Sequence, residues 1–133
     1  MNTVVFVVDD EQVIRTAIVK RLIRQGHFAT GYESGEVLLQ ELEHKLPELV
    51  LLDLKMPRLN GFDVLDFVRR QPSLKQLPIV IFSSSDDPRD IQRAYDGGAN
   101  SYLCKPHSNE DLSALLKALE EYWCKFNHFP ACH

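Results

Sequence analysis

Acidic residues stand directly after apolar stretches at two points in the sequence, in VVDDE at residues 7–11 and LVLLD at residues 49–53. The carboxylates of Asp9, Asp10 and Asp53 would repel one another at close range unless a cation lay between them. Oxygen-only ligands favour a hard divalent cation, and a small open site of this kind suits Mg²⁺, with Mn²⁺ as a substitute. The two acidic motifs therefore predict a divalent-metal site.

A hydroxyl and an amine hold comparable positions later in the chain. Ser83 follows the apolar run at residues 79–82, and Lys105 follows SYLC at residues 101–104. An aspartate held beside a metal, a lysine and a hydroxyl can attack phosphorus and become an acyl phosphate. The metal and the lysine then neutralise the phosphoryl oxygens in the transition state. If the fold brings these groups together, the chemistry they indicate is phosphoryl acceptance.

Apolar runs of strand length alternate with segments of helical period, which places these groups at strand ends. The predicted strands are residues 4–8, 28–32, 49–53, 79–82 and 101–104. Helices are indicated by the apolar spacing over 13–23 with an end near Gly26, by the caps Ser34, Asn60, Asp87 and Ser108, and by the terminators Gly97 and Gly98.

Strands joined by helices run parallel with right-handed crossovers. The alternation therefore predicts an α/β fold, a flavodoxin-like doubly wound (βα)₅ sheet of order 2-1-3-4-5 with helices on both faces. In that order the first, third, fourth and fifth strands are neighbours. Their carboxyl ends would bring Asp9, Asp53, Ser83 and Lys105 to one edge of the sheet.

Composition narrows the class of protein. The chain has 133 residues and a net charge of −4 from 15 basic and 19 acidic residues, which fits one domain without an electrostatic footprint for nucleic acid. No apolar run approaches the ~20 residues of a membrane span, and no signal peptide is visible. Three cysteines without a CxxC motif favour a reducing, cytoplasmic location. No role is assigned to Cys124, and His128 and Cys132 are interpreted as part of an unstructured end rather than as metal ligands.

Four motifs in this order resemble those of response-regulator receiver domains of two-component signalling. They are VVDDE (7–11), LLDLKMPRLNG (51–61), LPIVIFSSS (77–85) and GGANSYLCKP (97–106), and the resemblance covers about residues 3–120. It implies that Asp53 is the phosphoacceptor. Asp10 would bind Mg²⁺ directly, Asp9 mainly through water, and Lys55 through its main-chain carbonyl.

The same resemblance assigns further roles around the acceptor. Ser83 would be the switch hydroxyl, Lys105 the phosphoryl-binding lysine, Tyr102 the switch aromatic, and Pro106 would follow a cis bond. Lys55 and Ser85 occupy positions that tune the lifetime of the phosphoryl group in the family.

The implied function is that of a single-domain response regulator. Residues 1–122 would form the receiver, and residues 123–133 an extension of the last helix without an effector domain. A sensor histidine kinase or a histidine phosphotransfer protein would supply the phosphoryl group. Signalling would pass through protein contacts of the helix 4–strand 5–helix 5 face, with Tyr95, Tyr102 and Trp123 in the partner surface and a homodimer through that face. No nucleic-acid or membrane partner is expected, and the protein is not expected to be an enzyme.

Simpler interpretations stay open for single residues. Asp9 or Asp10 could cap the first helix, any of the three serines at 83–85 could be a turn residue, and Lys105 could be a solvated charge. Cys104 is predicted to be a core thiol. Two rival functions remain: a phosphatase or phosphotransferase acting on a diffusible substrate, which the lysine at position 55 disfavours, and a degenerate receiver that only docks partners.

Overall fold

A computed structural model describes residues 2–130 as five strands alternating with five helices. The strands are β1 Val4–Val8, β2 Phe28–Tyr32, β3 Leu49–Leu52, β4 Ile79–Ser83 and β5 Ser101–Cys104. The helices are α1 Gln12–Arg24, α2 Gly35–Leu42, α3 Gly61–Arg70, α4 Pro88–Asp96 and α5 Asn109–Leu119. Within this range no helix has both the length and the apolar character needed to cross a membrane.

The five strands form one parallel sheet of order β2-β1-β3-β4-β5, which confirms the predicted flavodoxin-like topology. The three central strands are apolar except for Ser83 at the end of β4, because both of their faces are covered. The edge strand β2 shows the contrast, since its residues are exposed or half-buried.

Alternate residues of the strands enter two separate cores, one on each face of the sheet. Phe6 and Val8 of β1 belong to the core under α2, α3 and α4. Val5 and Val7 belong to the other core, under α1 and α5, where Ile18 and Leu22 are buried. Only part of the apolar spacing in α1 is used in packing.

The predicted cap residues begin four of the helices. Ser34, Asn60, Asp87 and Ser108 each accept a hydrogen bond from a backbone N–H of the first turn. The exception is α1, which begins after Glu11 without a side-chain cap. Neither Asp9 nor Asp10 caps this helix, so that interpretation is wrong; the Asp9 carboxylate accepts from the Glu11 N–H instead.

The chain continues past α5 as a π-helical segment, Glu120–Phe126. Cys124 of this segment is buried in the core under α1 and α5, and Trp123 packs against that core while stacking on Phe129 at a centroid distance of 6.4 Å. Tyr122 and Phe126 are exposed. Trp123 thus helps to close the domain, and its neighbours supply the exposed aromatic surface. Cys132 and His133 lie outside the described residues.

Candidate phosphoacceptor site

Strand pairing brings the predicted chemical groups to one edge of the sheet. Val8 is in register with Leu52, and the Asp53 N–H donates to the Val8 carbonyl at 3.0 Å, so Asp9 and Asp53 leave adjacent strands side by side. On the neighbouring pair, the Lys105 N–H donates to the Ser83 carbonyl at 2.7 Å. The sheet therefore assembles residues that are as far apart in sequence as Asp9 and Lys105.

One ammonium group faces several carboxylates at this edge. Lys105 Nζ lies 2.8 Å from Asp9 Oδ2, 3.4 Å from Asp53 Oδ2 and 3.3 Å from Glu11 Oε1. The side chains of Lys105, Asp9 and Asp53 are only 6%, 3% and 5% exposed. Water is largely excluded from these three groups, so their mutual attraction and repulsion are stronger than at the surface.

Burial dominates the titration of both aspartates. Desolvation and then the nearby Asp9 carboxylate raise the pKa of Asp53, Lys105 opposes the rise, and the net pKa is about 6. Desolvation also raises the pKa of Asp9, against the hydrogen bond from Lys105. The Lys105 pKa rises despite its own burial because it faces these acids. One buried lysine does not fully compensate two buried carboxylates.

Asp10 supplies a third carboxylate on the solvent side. One oxygen from each of Asp9, Asp10 and Asp53 can lie within 4.8 Å of the other two. Three hard oxygen ligands, two of them buried, with incomplete compensation of their charge, fit a divalent metal ion. The three residues predicted from the acidic motifs thus form one candidate metal centre.

The loop after the acceptor is held close to it. A Cβ atom at Gly61 would lie 2.5 Å from the Asp53 carbonyl oxygen and 2.8 Å from Leu54 Cα, so the start of α3 needs glycine there. The Gly61 N–H donates to the Leu54 carbonyl at 3.0 Å. The Lys55 N–H in turn points to Asp53 Oδ1 at 3.4 Å. This packing fixes the backbone of residues 53–55 beside the acid cluster.

Ser83 and Tyr102 meet at the β4–α4 loop. Ser83 is fully buried, and its hydroxyl accepts from the Ser85 N–H at 3.2 Å. The half-buried Tyr102 donates its hydroxyl proton to the Ser85 carbonyl at 2.8 Å. Burial raises the pKa of the Tyr102 phenol, while hydrogen bonds with Ser85 and Ser83 oppose the rise. The residues predicted as switch hydroxyl and switch aromatic therefore both form hydrogen bonds with the same short loop.

Two predictions near Lys105 are wrong. The Lys105–Pro106 peptide bond is trans, not cis; trans is the ordinary state of an X–Pro bond, and Lys105 reaches its acidic partners from it. Cys104 is exposed rather than a core thiol because it ends the edge strand β5. Its thiol points to the Ser85 carbonyl at 3.5 Å.

Two residues contact this edge of the sheet although the sequence analysis assigned them no role in the site. Glu11 belongs to the acidic motif, yet only the fold shows that it reaches Lys105. In the sequence, Asp90 is interpreted only as an acidic residue that interacts favourably with the dipole at the start of a helix. In the structure, its Oδ2 accepts from the Ser85 hydroxyl at 2.6 Å and lies 3.2 Å from Lys55 Nζ. Glu11 could have been found from its motif, whereas Asp90 carries no local signal.

The predicted partner surface lies on α4, β5 and the C-terminal segment. Tyr95 of α4 is exposed, Tyr102 and Trp123 are half-buried. A groove of about 380 Å³ runs between β5, α5 and the π-helical segment, lined by Leu103, Leu115, Leu119, Tyr122, Trp123 and their neighbours.

A parallel five-stranded sheet with this acid, lysine and hydroxyl set at its carboxyl edge defines the class of phosphoacceptor signalling domains. The chain belongs to the response regulator receiver domain family, whose sequence profile matches residues 5–117. Domains of this family receive phosphoryl groups from histidine kinases or phosphotransfer proteins and are signalling domains rather than enzymes. The interpretation as a phosphatase of a diffusible substrate is set aside accordingly.

Individual relatives support the same assignment. The chain is similar to FilR2 of Methanothrix harundinacea (strain 6Ac), a probable methanogenesis regulatory protein, at 41% identity over 85 residues, 64% of this chain and 55% of that protein. The chain spans about half the length of the first curated relatives that it matches.

Two solved structures resemble the fold over nearly the whole chain. The phosphorylated cyanobacterial phytochrome response regulator RcpA has a TM-score of 0.92 at 27% identity, covering 98% of this chain and 100% of its own. The Mn²⁺-bound response regulator Rcp1 has a TM-score of 0.88 at 25% identity, covering 97% and 99%.

Proposed function

We propose that Asp53 of this chain accepts a phosphoryl group from a phosphohistidine of a sensor histidine kinase or a histidine phosphotransfer protein, in a reaction that depends on Mg²⁺. One observation carries the proposal. The Asp53 carboxylate is buried at the end of β3, 3.4 Å from Lys105 Nζ and within reach of the Asp9 and Asp10 carboxylates.

In the transfer step, an Asp53 oxygen attacks phosphorus and forms an O–P bond. The N–P bond of the phosphohistidine breaks, and its electron pair remains on the imidazole nitrogen, which takes up a proton. Lys105 Nζ, which lies 3.4 Å from Asp53 Oδ2, would neutralise a phosphoryl oxygen as the acyl phosphate forms. Asp9, Asp10, Asp53 and the Lys55 main-chain carbonyl would hold Mg²⁺, which supplies further neutralisation of phosphoryl charge.

The switch follows from the contacts of the β4–α4 loop. A phosphoryl group adds about −1.5 to −2 charges and several acceptor oxygens at this edge. The Ser83 hydroxyl would donate to one of them, which draws the loop inward and changes the hydrogen bond between Ser85 and Tyr102. The resulting shift biases the surface of α4, β5 and α5.

Phosphorylation is tested with acetyl phosphate or phosphoramidate in the presence of Mg²⁺, followed by intact mass measurement. Wild type should gain one phosphoryl group, and Asp53→Asn none. Asp66→Asn is the matched control, because Asp66 is exposed on α3 and pairs with Arg70 far from the cluster. An unmodified wild type would favour the docking module instead, and equal labelling of Asp53→Asn would show that another residue is the acceptor.

The relay is tested with Ser83→Ala. This variant should still take the phosphoryl group but lose the phosphorylation-dependent change in the NMR signals of Tyr102. A full change at Tyr102 in the alanine variant would exclude the Ser83 hydroxyl as the relay.

The output is proposed to pass through the α4–β5–α5 face, with Tyr95, Tyr102 and Trp123 in the contact and a homodimer as the assembly. Exposed aromatic groups next to the groove beside β5 support this, because burying them against a second copy removes apolar surface from water.

Sedimentation velocity tests the dimer. Tyr122→Ser should shift the equilibrium from dimer toward monomer relative to wild type. Phe67→Ser, which also removes an exposed aromatic side chain but on α3, should not. Trp123→Ala should have the same effect as Tyr122→Ser if Trp123 is in the contact. A wild type that is monomeric at high concentration with and without beryllofluoride would contradict the dimer.

A further inference from the structure

Asp90 joins the two loops that flank the acceptor. Its Oδ2 atom accepts the Ser85 hydroxyl at 2.6 Å and pairs with Lys55 Nζ at 3.2 Å. Lys55 stands two residues after Asp53, and Ser85 stands two residues after Ser83. A single oxygen in the first turn of α4 therefore ties the β3–α3 loop to the β4–α4 loop.

Both ends of this bridge lead into the site. The backbone N–H of Lys55 points to Asp53 Oδ1 at 3.4 Å. Ser85 holds the Ser83 hydroxyl through its N–H at 3.2 Å and the Tyr102 hydroxyl through its carbonyl at 2.8 Å. Whatever displaces the Asp90 carboxylate acts on the acceptor side and the switch side together.

The two contacts of Asp90, with the Ser85 hydroxyl and with Lys55 Nζ, differ in strength. The Ser85 hydroxyl donates to an ionised group at a short distance, and it also accepts from the Asp87 N–H at 3.3 Å, so its orientation is fixed. Lys55 is 57% exposed, and its pair with Asp90 is held only by weak attraction through water-rich surroundings. The ion pair between Lys55 and Asp90 is therefore the contact that a new anion can break.

We propose that Asp90 is a positioning residue that holds the Lys55 ammonium on α4 and away from the phosphoryl group of Asp53. This inference rests on the proposed function of Asp53 as the phosphoacceptor. Phospho-Asp53 presents a stronger anion two residues before Lys55 in the chain, so the lysine is shared between Asp90 and the phosphoryl oxygens. The strength of the Asp90 pair sets that division.

The division matters for hydrolysis of the acyl phosphate. A water oxygen attacks phosphorus, the bond between phosphorus and the Asp53 oxygen breaks, and inorganic phosphate leaves while Asp53 returns as a carboxylate. A Lys55 side chain laid across the phosphoryl oxygens stands in the path of that water. Releasing Lys55 from Asp90 should therefore lengthen the phosphoryl lifetime.

The test measures the half-life of phospho-Asp53 after removal of acetyl phosphate in wild type, Asp90→Asn, Lys55→Met and the double variant. Asp90→Asn keeps an acceptor oxygen for Ser85 but removes the charge, and it should lengthen the half-life up to about fivefold, the limit for an exposed ion pair. In the Lys55→Met background, Asp90→Asn should change nothing. Asp90→Glu, which restores the charge, should return the half-life toward the wild-type value.

Asp96→Asn is the matched control, because Asp96 lies at the other end of α4 and accepts from Gln92 of the same helix. An equal change on Asp90→Asn with and without Lys55 would show that Asp90 only holds the loop, and would overturn the inference. An unchanged or shortened half-life in Asp90→Asn would also overturn it while leaving the proposed function intact. If wild type takes no phosphoryl group on Asp53, the proposed function falls and this inference falls with it.

Discussion

The two ends of β1 carry buried polar clusters of opposite character. At the amino end, Thr3 and His27 meet Glu120 of the C-terminal segment. At the carboxyl end, Asp9 and Asp53 meet Lys105. Both clusters are removed from water, but the second holds more carboxylates than its one lysine can neutralise.

The hydrogen bonds of the amino-end cluster fix the tautomer of His27. The Thr3 N–H donates to His27 Nδ1 at 3.1 Å, so this nitrogen keeps its lone pair and the proton sits on Nε2. His27 Nε2 then donates to Glu120 Oε1 at 2.9 Å, and Lys125 Nζ lies 3.8 Å from the other carboxylate oxygen. A buried acid with these partners ties the C-terminal segment to the start of the sheet.

The carboxyl-end cluster is left with excess negative charge. Lys105 is shared among Asp9, Asp53 and Glu11, and burial raises the pKa of both aspartates. The difference shows where stability and function separate. One cluster has its partners inside the chain, and the other fits a divalent cation from outside.

Disrupting the amino-end cluster should have the largest effect on the free energy of unfolding. Glu120→Ala leaves the His27 Nε2–H buried without an acceptor, and it should lower the free energy of unfolding by about 3 kcal/mol. Urea denaturation at neutral pH measures the change. The neighbouring Glu121→Ala is the control and should cost far less. A loss equal to that of Glu121→Ala would show that the pair contributes no net stability.

Binding of Mg²⁺ at the carboxyl-end cluster should stabilise the protein by a comparable amount. Mg²⁺ at a free concentration about 100 times its Kd should raise the free energy of unfolding of wild type by about 2.7 kcal/mol. Asp10→Asn should remove most of this gain, because it deletes one of the three carboxylates of the metal centre. Glu120→Gln, at the other end of β1, should keep the gain. Thermal unfolding with Mg²⁺ or chelator distinguishes these outcomes.

Removing charge from the same cluster should stabilise the metal-free protein. In chelator at pH 7.5, the free energy of unfolding of Asp53→Asn should exceed that of wild type by a value on the order of 2 kcal/mol, because burial disfavours the ionised form of Asp53. The folded state holds its Asp53 proton up to about pH 6, against a usual pKa of 3.8, so wild type loses stability as pH rises through that interval. The gain from the asparagine should shrink as pH falls from about 6 to 3.8. A gain that stays constant over this range would contradict the assignment to Asp53 ionisation.

The smallest effect is expected where one neutral hydrogen bond anchors the C-terminal segment. The Thr3 hydroxyl donates to the Cys124 carbonyl at 3.3 Å, and Thr3→Val should cost about 1 kcal/mol. Cys124 is buried, and desolvation raises its pKa to about 11, so it should react with iodoacetamide only when the segment opens. In a Cys132→Ser background, Thr3→Val should speed alkylation of Cys124 and leave the exposed Cys104 unchanged. An equal rate at Cys124 in both proteins would show that this bond does not hold the segment.

The sequence by itself determined the elements and the location of the site. Apolar runs, helical spacing and the caps Ser34, Asn60, Asp87 and Ser108 depend on neighbouring residues, so they could be read from the printed chain. The parallel order followed from strand–helix alternation, and it placed Asp9, Asp53, Ser83 and Lys105 at one edge.

Only the tertiary structure decided which groups pair. His27 and Glu120 are 93 residues apart, and Lys55 reaches Asp90 across two loops, so no local pattern indicates either contact. The exposure of Cys104 likewise depends on how β5 ends at the edge of the sheet. Local rules act through chain neighbours, whereas burial and ion pairing depend on which distant side chains the packed layers bring within a few ångströms.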